Sequence, residues 1–184
     1  MEPIGAYIMH GDLLEFAADC IVHQVNCVSI KAHGLSLDIA HRFPYADVYA
    51  KRATHKPRTR GALGSVVFMR PRTSTLVTTI PQPVVACLMA QVCPAKPGDY
   101  AATYGVPADQ DTTETRFAAF RDCLGVLSVE VRARQWSSVA FPFQIGCGLA
   151  GSMDNWHLYE NAIHDFANSV QPTAQVFILK KHGK

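Results

Sequence analysis

The chain has 184 residues, of which 48% are hydrophobic and 17% are charged. This length and composition allow one domain with a sizeable buried core, and they exclude wholesale disorder. The formal net charge is only +2, and no apolar run approaches the roughly 20 residues that span a bilayer. The first five residues contain no basic residue and no continuous apolar stretch. We therefore expect an intracellular protein, in cytoplasm or nucleus, without membrane contact.

Cysteine and histidine are spaced irregularly. None of the six cysteines forms a Cys-x-x-Cys pair, and none of the eight histidines forms a His-x-x-x-His pair. In a chain of this size such cysteines are more typical of buried reduced thiols than of a disulfide framework or a zinc site. We expect neither a metal nor a cofactor.

Charge is unevenly distributed along the chain. Residues 51–98 contain eight Lys or Arg and no Asp or Glu, so this segment carries +8 and the remainder carries −6. Such asymmetry favours a polyanionic partner, with residues 51–72 as the candidate contact for nucleic acid or poly-ADP-ribose. The alternative is an ordinary solvated basic face.

The first half of the chain alternates strand and helix patterns. Residues 6–9 and 20–25 are short β-like runs, and the second is apolar on both faces, as in a strand covered on both sides. Leu35, Ile39 and Phe43 recur at four-residue steps and predict a helix that stops before Pro44. Further strands are predicted at 65–69 and 84–89.

The second half begins with an irregular stretch. Residues 92–110 contain three prolines and two glycines, which indicates a long loop, and such loops are usually functional. Asp111 and Glu114 then resemble a capping box at the start of a helix. A strand over 138–145, a helix after Ser152 and a last strand over 175–179 complete the pattern. Strands that alternate with helices predict an α/β fold with a mainly parallel sheet.

Two loops stand where ligands bind in such sheets, beyond the carboxyl ends of strands. Residues 26–34 follow the second predicted strand, and residues 146–151 follow the strand over 138–145. The latter loop holds three glycines in six residues, which would let backbone N–H groups converge on an anion ahead of a helix. No Gly-Lys-Ser/Thr occurs, which argues against a P-loop nucleotide hydrolase.

These segments resemble the macro-domain family. The resemblance covers nearly the whole chain, with the middle loop the least matched part. It rests on Gly11-Asp12-Leu13, on residues 19–27 (DCIVHQVNC), on residues 33–35 leading to Arg42-Phe43-Pro44, and on residues 141–151 (FPFQIGCGLAG).

The resemblance implies a single macro domain over residues 1–184. Its fold would be a three-layer α/β/α sandwich with a central mixed, mainly parallel sheet. The ligand would be ADP-ribose or an ADP-ribosylated substrate. The His-Gln-Val-Asn-Cys run (23–27) is similar to the branch that holds ADP-ribose-1″-phosphate phosphatases and terminal ADP-ribose glycohydrolases.

The resemblance also implies ligand-binding positions. Asp12 matches the adenine contact, with the Leu13 backbone nearby, and Phe177 matches an aromatic residue that lies against adenine. Asn26 matches the residue that orients the distal ribose. The residues matching the loops around the diphosphate and the distal ribose are Gly34, Ile145, Gly146, Cys147, Gly148, Leu149 and Ala150.

The candidate catalytic residues are two histidines. His23 matches a histidine of the phosphatase branch, although a buried structural role is an equal alternative. His33 stands between Ala32 and Gly34, where many relatives have a small residue, and is the more accessible acid or base.

Departures from the family leave the activity open. The lysine and aspartate that the glycohydrolases use are replaced by Ala90 or Gln91 and by Ala150, which argues against that mechanism. Hydrolysis of a terminal phosphate or ADP-ribosyl group therefore stands beside two alternatives, a non-catalytic reader of mono- or poly-ADP-ribose and a nucleic-acid-binding protein. A hydrolase that uses water attack assisted by the substrate is a further alternative.

Overall fold

The computed structural model describes residues 5–50, 52–56, 60–71, 82–148 and 151–181. The strands among them are β1 (Tyr7–His10), β2 (Cys20–Asn26), β3 (Val66–Met69), β4 (Val84–Gln91), β5 (Ser138–Pro142) and β6 (Gln175–Lys180). The α-helices are α1 (Leu35–Arg42), α2 (Ala101–Tyr104), α3 (Thr113–Arg134) and α4 (Trp156–Val170).

The six strands form one sheet in the order β1-β6-β5-β2-β4-β3. Every neighbouring pair is parallel except β3 with β4, which is antiparallel. The predicted mixed, mainly parallel sheet is therefore confirmed.

Helices cover the sheet on both sides because its central strands are apolar on both faces. On β2, Cys20 and Val22 pack in one core with residues of α3 and α4. Ile21 and Val25, which face the other side of the strand, pack in a second core with Ile39 of α1. Successive residues of a strand face opposite sides, so the alternation builds the three-layer α/β/α sandwich that was expected.

The predicted cap of α3 is wrong by one residue. The N-cap is Thr112, whose side chain accepts from the Thr115 N–H, and Thr115 returns a bond to the Thr112 N–H. The Asp111 carboxylate instead accepts two bonds from Arg116 at 2.8 Å and a third from the N–H of Gly98 at 3.2 Å.

Smaller differences concern ends of elements. The strand predicted over 138–145 ends at Pro142, since the chain then enters a turn. Residues 92–110 are mostly irregular, as predicted, but contain α2 and a 3₁₀ turn at Ala108–Gln110. Ser152 does cap, at a 3₁₀ turn (Met153–Asn155) that continues into α4.

All six cysteines are buried and free, as predicted. Among the described helices, none combines the length and the apolar character that a membrane crossing requires.

Candidate functional site

The connections of the sheet reverse direction between β2 and β5. These strands are neighbours and parallel, paired at Cys20–Val139 and Ile21–Ala140. The chain leaves β2 for α1 on one face of the sheet and leaves β5 for α4 on the other face. A reversal of this kind opens a crevice beyond the carboxyl ends of the two strands, which is where open α/β sheets bind ligands.

The turn that follows β5 depends on two glycines. Gly146 has φ of 75°, in the left-handed region that favours glycine. A Cβ atom on Gly151 would lie 2.2 Å from the carbonyl oxygen of Gly146. The two ends of the turn therefore touch through backbone, which no larger residue at position 151 would allow. Leu149 and Ala150 lie outside the described residues.

The glycine turn meets the end of β2 directly. A Cβ atom on Gly146 would lie 2.7 Å from Oε1 of Gln24 and 2.9 Å from the ring of Tyr159 on α4. Gln24 Nε2 in turn donates to Gln91 Oε1 of β4 at 2.8 Å. Gln24 Oε1 is buried and accepts no hydrogen bond within the described part of the chain. The two predicted loops thus lie at adjoining strand tips.

Asn26 uses its side chain to shape the loop after β2. Its Oδ1 accepts from the N–H groups of Val28 (3.1 Å) and Ser29 (2.7 Å), and its Nδ2 donates to the hydroxyl of Tyr49 (3.3 Å). The residue is 7% exposed. Asn26 therefore fixes the path of the chain from β2 toward Gly34.

His33 and Gly34 form the exposed end of that loop. Gly34 is the N-cap of α1, with φ of 53° and ψ of −133°, and no atom stands within 4 Å of the place where a Cβ would be. His33 is exposed beside it. The backbone at this point is open to a ligand, and its conformation favours glycine.

His23 is enclosed. It is 2% exposed, with Nε2 3.1 Å from Cys87 Sγ and Nδ1 3.3 Å from Ser36 Oγ. Burial lowers the pKa of His23 to about 3, because the interior disfavours the charged ring. The ring is therefore neutral at physiological pH, which favours the structural alternative over a proton carrier.

Cys147 is also unsuited to nucleophilic chemistry. It is 2% exposed, and burial raises the pKa of its thiol to about 11. The thiolate, which is the reactive form, is therefore scarce near neutral pH. Ile145 is buried in the core beside it, whereas Gly148 is exposed.

Asp12 and Phe177 lie on β1's side of the sheet, at the other end of the candidate site. Asp12 Oδ1 accepts from the Leu14 N–H at 3.0 Å, and its Oδ2 pairs with Lys181 Nζ at 2.8 Å. The hydrogen bond from Lys181 is the largest cause that lowers the pKa of Asp12. Leu13 is buried beneath this corner, at 6% exposure.

Structural comparison decides the fold. No family model matches the chain, and no curated protein matches it by sequence. The macrodomain of Mycobacterium tuberculosis DarG, however, matches with a TM-score of 0.66 at 20% identity, over 95% of this chain and 98% of that one. This chain has the macrodomain fold.

Two further structures match, both solved with ADP-ribose. Thermosipho africanus DarTG matches with a TM-score of 0.65 at 16% identity, over 93% of this chain and 40% of that one. The Trypanosoma brucei macrodomain matches with a TM-score of 0.58 at 14% identity, over 95% of this chain and 62% of that one.

Sequence reasoning missed several residues that this macrodomain fold brings to the site. Phe16 lies 5.0 Å from the ring of Phe177, and Tyr7 stacks on the same ring at 5.8 Å. Gln24 and Lys181 were also missed. Phe16 and Tyr7 had a signal, since both flank the Gly-Asp-Leu run, but nothing in the sequence indicates that Lys181 would reach Asp12.

No group of three or more His, Cys, Asp or Glu side chains in the described ranges could hold a metal ion.

Proposed function

We propose that this macrodomain binds ADP-ribose in the crevice between β2 and β5. The observation that carries the proposal is the contact of the Gly146 turn with Gln24 near the end of β2, because the loop that leads to Gly34 begins at that end of the same strand. Two structures of the same fold were solved with ADP-ribose, which supports this ligand.

Each end of the ligand has a candidate partner. The carboxylate of Asp12 would accept from the exocyclic amine of adenine, near the Leu13 backbone. Phe177 and Phe16 would offer an aromatic surface, since a ring stacked on a base contributes about 1–3 kcal/mol. Because Lys181 already pairs with Asp12, adenine must share that carboxylate or displace the ammonium group.

The diphosphate and the distal ribose would lie along the two loops. Backbone N–H groups of the 146–150 turn, Leu149 and Ala150 included, would bind the phosphate oxygens. The N–H of Cys147 is the exception, since it donates to the carbonyl of Gln144, and Ile145 and Cys147 pack beneath. Gly34 would approach the distal ribose, in a loop whose course is set by Asn26. Main-chain donors suit an anion because they need no buried counter-charge.

Binding without turnover is the activity that the described side chains support best. His23 is enclosed and neutral, and the Cys147 thiol is buried, so neither offers a ready acid, base or nucleophile. A reader of mono- or poly-ADP-ribose needs no such group.

Hydrolysis is the second candidate, and His33 is the residue that favours it. Its imidazole is exposed on the loop beside Gly34, where it would reach a terminal phosphate or ester of the distal ribose. Phosphate release from ADP-ribose-1″-phosphate tests this. If His33→Ala abolishes release and His23→Ala does not, the enzyme is a phosphatase that depends on His33, whereas no release by the wild type supports the reader.

A thermal-shift comparison tests the binding proposal itself. Mass action raises stability by about 2.7 kcal/mol when the ligand stands at a hundredfold excess over Kd. ADP-ribose should stabilise the protein more than AMP or ribose 5-phosphate does. Stabilisation by short DNA, falling steeply with salt and insensitive to ADP-ribose, would instead favour the nucleic-acid alternative, which no structural observation supports.

A further inference from the structure

Arg52 lies inside the protein, although it belongs to the acid-free basic segment. It is 4% exposed, and its NH1 donates to two carbonyl oxygens of the loop after β2, those of Asn26 (2.7 Å) and Ser29 (3.2 Å). The guanidinium also lies over the ring of Tyr49, 4.4 Å from its centroid.

Arg60 contacts the same loop from a half-buried position. Its NH1 donates to the carbonyl of Val28 at 2.7 Å. Its Nε donates to the carbonyls of His55 (2.8 Å) and Arg52 (3.1 Å). Three of the four carbonyls from position 26 to 29 therefore accept bonds from two arginines.

These bonds determine which way the peptides of the loop face. A trans peptide is planar, and its N–H and C=O point in opposite directions. Because the Ser29 carbonyl accepts from Arg52, the N–H of Ile30 points away from the buried guanidinium. Ile30 itself is exposed. The N–H groups of Val28 and Ser29 are held from the other side by Asn26 Oδ1.

Within the part of the chain that the structure describes, the Arg52 charge has no acidic partner. None of the described carboxylates forms an ion pair with it, and its Nε is buried without a hydrogen-bond partner in the described ranges. Burying a cation is costly unless it is paired. An anion bound at the adjoining loop would supply the missing charge, since Coulombic attraction is stronger in a partly buried site than in water.

We propose that Arg52 and Arg60 are positioning residues that hold the 26–34 loop in the shape that takes the distal ribose of ADP-ribose and the phosphate next to it. This inference rests on the proposed function and adds a specificity element to it. It also explains part of the basic segment as an internal clamp rather than a surface for polyanions.

The experiment measures ADP-ribose and AMP affinity by calorimetry for the wild type, Arg52→Lys, Arg52→Gln and Arg60→Gln. AMP reaches the Asp12 and Phe177 end but lacks the second phosphate and the distal ribose. ADP-ribose affinity should fall at least tenfold in the two glutamine variants while AMP affinity changes less than twofold. Arg52→Lys keeps the charge but cannot donate to two carbonyls in the same geometry. Its ADP-ribose affinity should lie between that of the glutamine variants and that of the wild type.

Arg70→Gln is the matched control. It removes the same charge from the same basic segment, but Arg70 is exposed, follows β3 at the opposite end of the sheet and pairs with Glu130. Its affinity for both ligands should equal that of the wild type. If Arg70→Gln lost as much ADP-ribose affinity as Arg52→Gln and Arg60→Gln, net charge would explain the effect and the clamp would be overturned.

Hydrogen–deuterium exchange without ligand separates this inference from the proposed function. Amides of residues 27–34 should exchange faster in Arg60→Gln and Arg52→Gln, and no faster in Arg70→Gln. Unchanged exchange together with unchanged ADP-ribose affinity overturns the clamp. A wild type that binds no ADP-ribose overturns the proposed function, while faster loop exchange in the variants would still support the clamp.

Discussion

Gly146 and Gly148 stand two residues apart in one turn, yet their surroundings differ. Gly146 has a left-handed backbone and would place a Cβ against Gln24 and Tyr159, whereas no atom lies within 4 Å of a Cβ on Gly148. The motif made all the glycines of this turn look alike. In the structure, the turn itself requires glycine at position 146. At position 148 only a bound ligand would require it.

Replacing each glycine by alanine tests that distinction. Gly146→Ala should lower the free energy of unfolding by about 1–3 kcal/mol, because of backbone strain and the close contacts. Gly148→Ala should change it by less than about 0.5 kcal/mol but weaken ADP-ribose binding, if main-chain atoms there approach the ligand. Chemical denaturation and calorimetry measure both, and equal destabilisation by the two variants would contradict this account.

His23 gives a prediction about pH. Its pKa is about 3 in the folded protein and about 6.5 when unfolded. Between these values the unfolded chain binds a proton that the folded protein does not. The free energy of unfolding should therefore fall as pH drops below about 6.5, by at most about 1.4 kcal/mol per pH unit from this group.

His23→Gln should flatten this dependence between pH 7 and 5, above the range where carboxyl groups ordinarily titrate. Urea denaturation at half-unit pH steps measures the slope. A variant with the wild-type slope would show that His23 is not buried in its neutral form.

At the scale of elements, apolar patterns predicted each strand and the three main helices, most clearly at the central strands β2 and β4, which are buried on both faces. They could not predict the cap of α3. Asp111 and Glu114 fit the capping pattern, but Thr112 and Thr115 form the cap, and Asp111 pairs with Arg116. The contact of Lys181 with Asp12 is long-range, depends on the tertiary fold and leaves no local pattern.

The Asp111–Arg116 pair anchors the start of α3 to the long loop. Both side chains are almost completely buried, and Arg116 also donates to the carbonyls of Cys93 and Ala95. Asp111→Ala would leave a buried cation, which typically costs about 3–5 kcal/mol. Asp109→Ala, at an exposed position of the same loop, is the control.

Denaturation midpoints of the two variants measure the difference. Burial acts to raise the pKa of Asp111, but the hydrogen bond from Arg116 and its positive charge outweigh burial and lower that pKa. The stability that it contributes is therefore present above the ordinary pKa of about 3.9 and is lost as pH falls through the lower folded value. An Asp111→Ala protein as stable as Asp109→Ala would contradict the anchoring role.

At the scale of the whole molecule, the sequence predicted the layered sheet and two loops at adjoining strand tips, but its charge pattern left open whether the basic segment meets a polyanion or solvent. Its +8 charge suggested one surface. In the structure Arg52 and Arg60 turn inward at the carboxyl ends of the strands, while Arg70 lies at the opposite end. Tertiary contacts determine which of these arginines is buried, because no periodic pattern in the sequence indicates it.

Amide chemical-shift mapping with ADP-ribose tests the central claim, that two loops at adjacent strand tips bind one ligand. In a titration of ¹⁵N-labelled protein, we expect shifts in residues 26–34 and 144–148 together, with one common saturation curve. The amides around Asp12 and Phe177 should also shift, and their shifts should saturate at the same ADP-ribose concentration. Shifts confined to one loop, or centred on the exposed basic residues, would contradict the account.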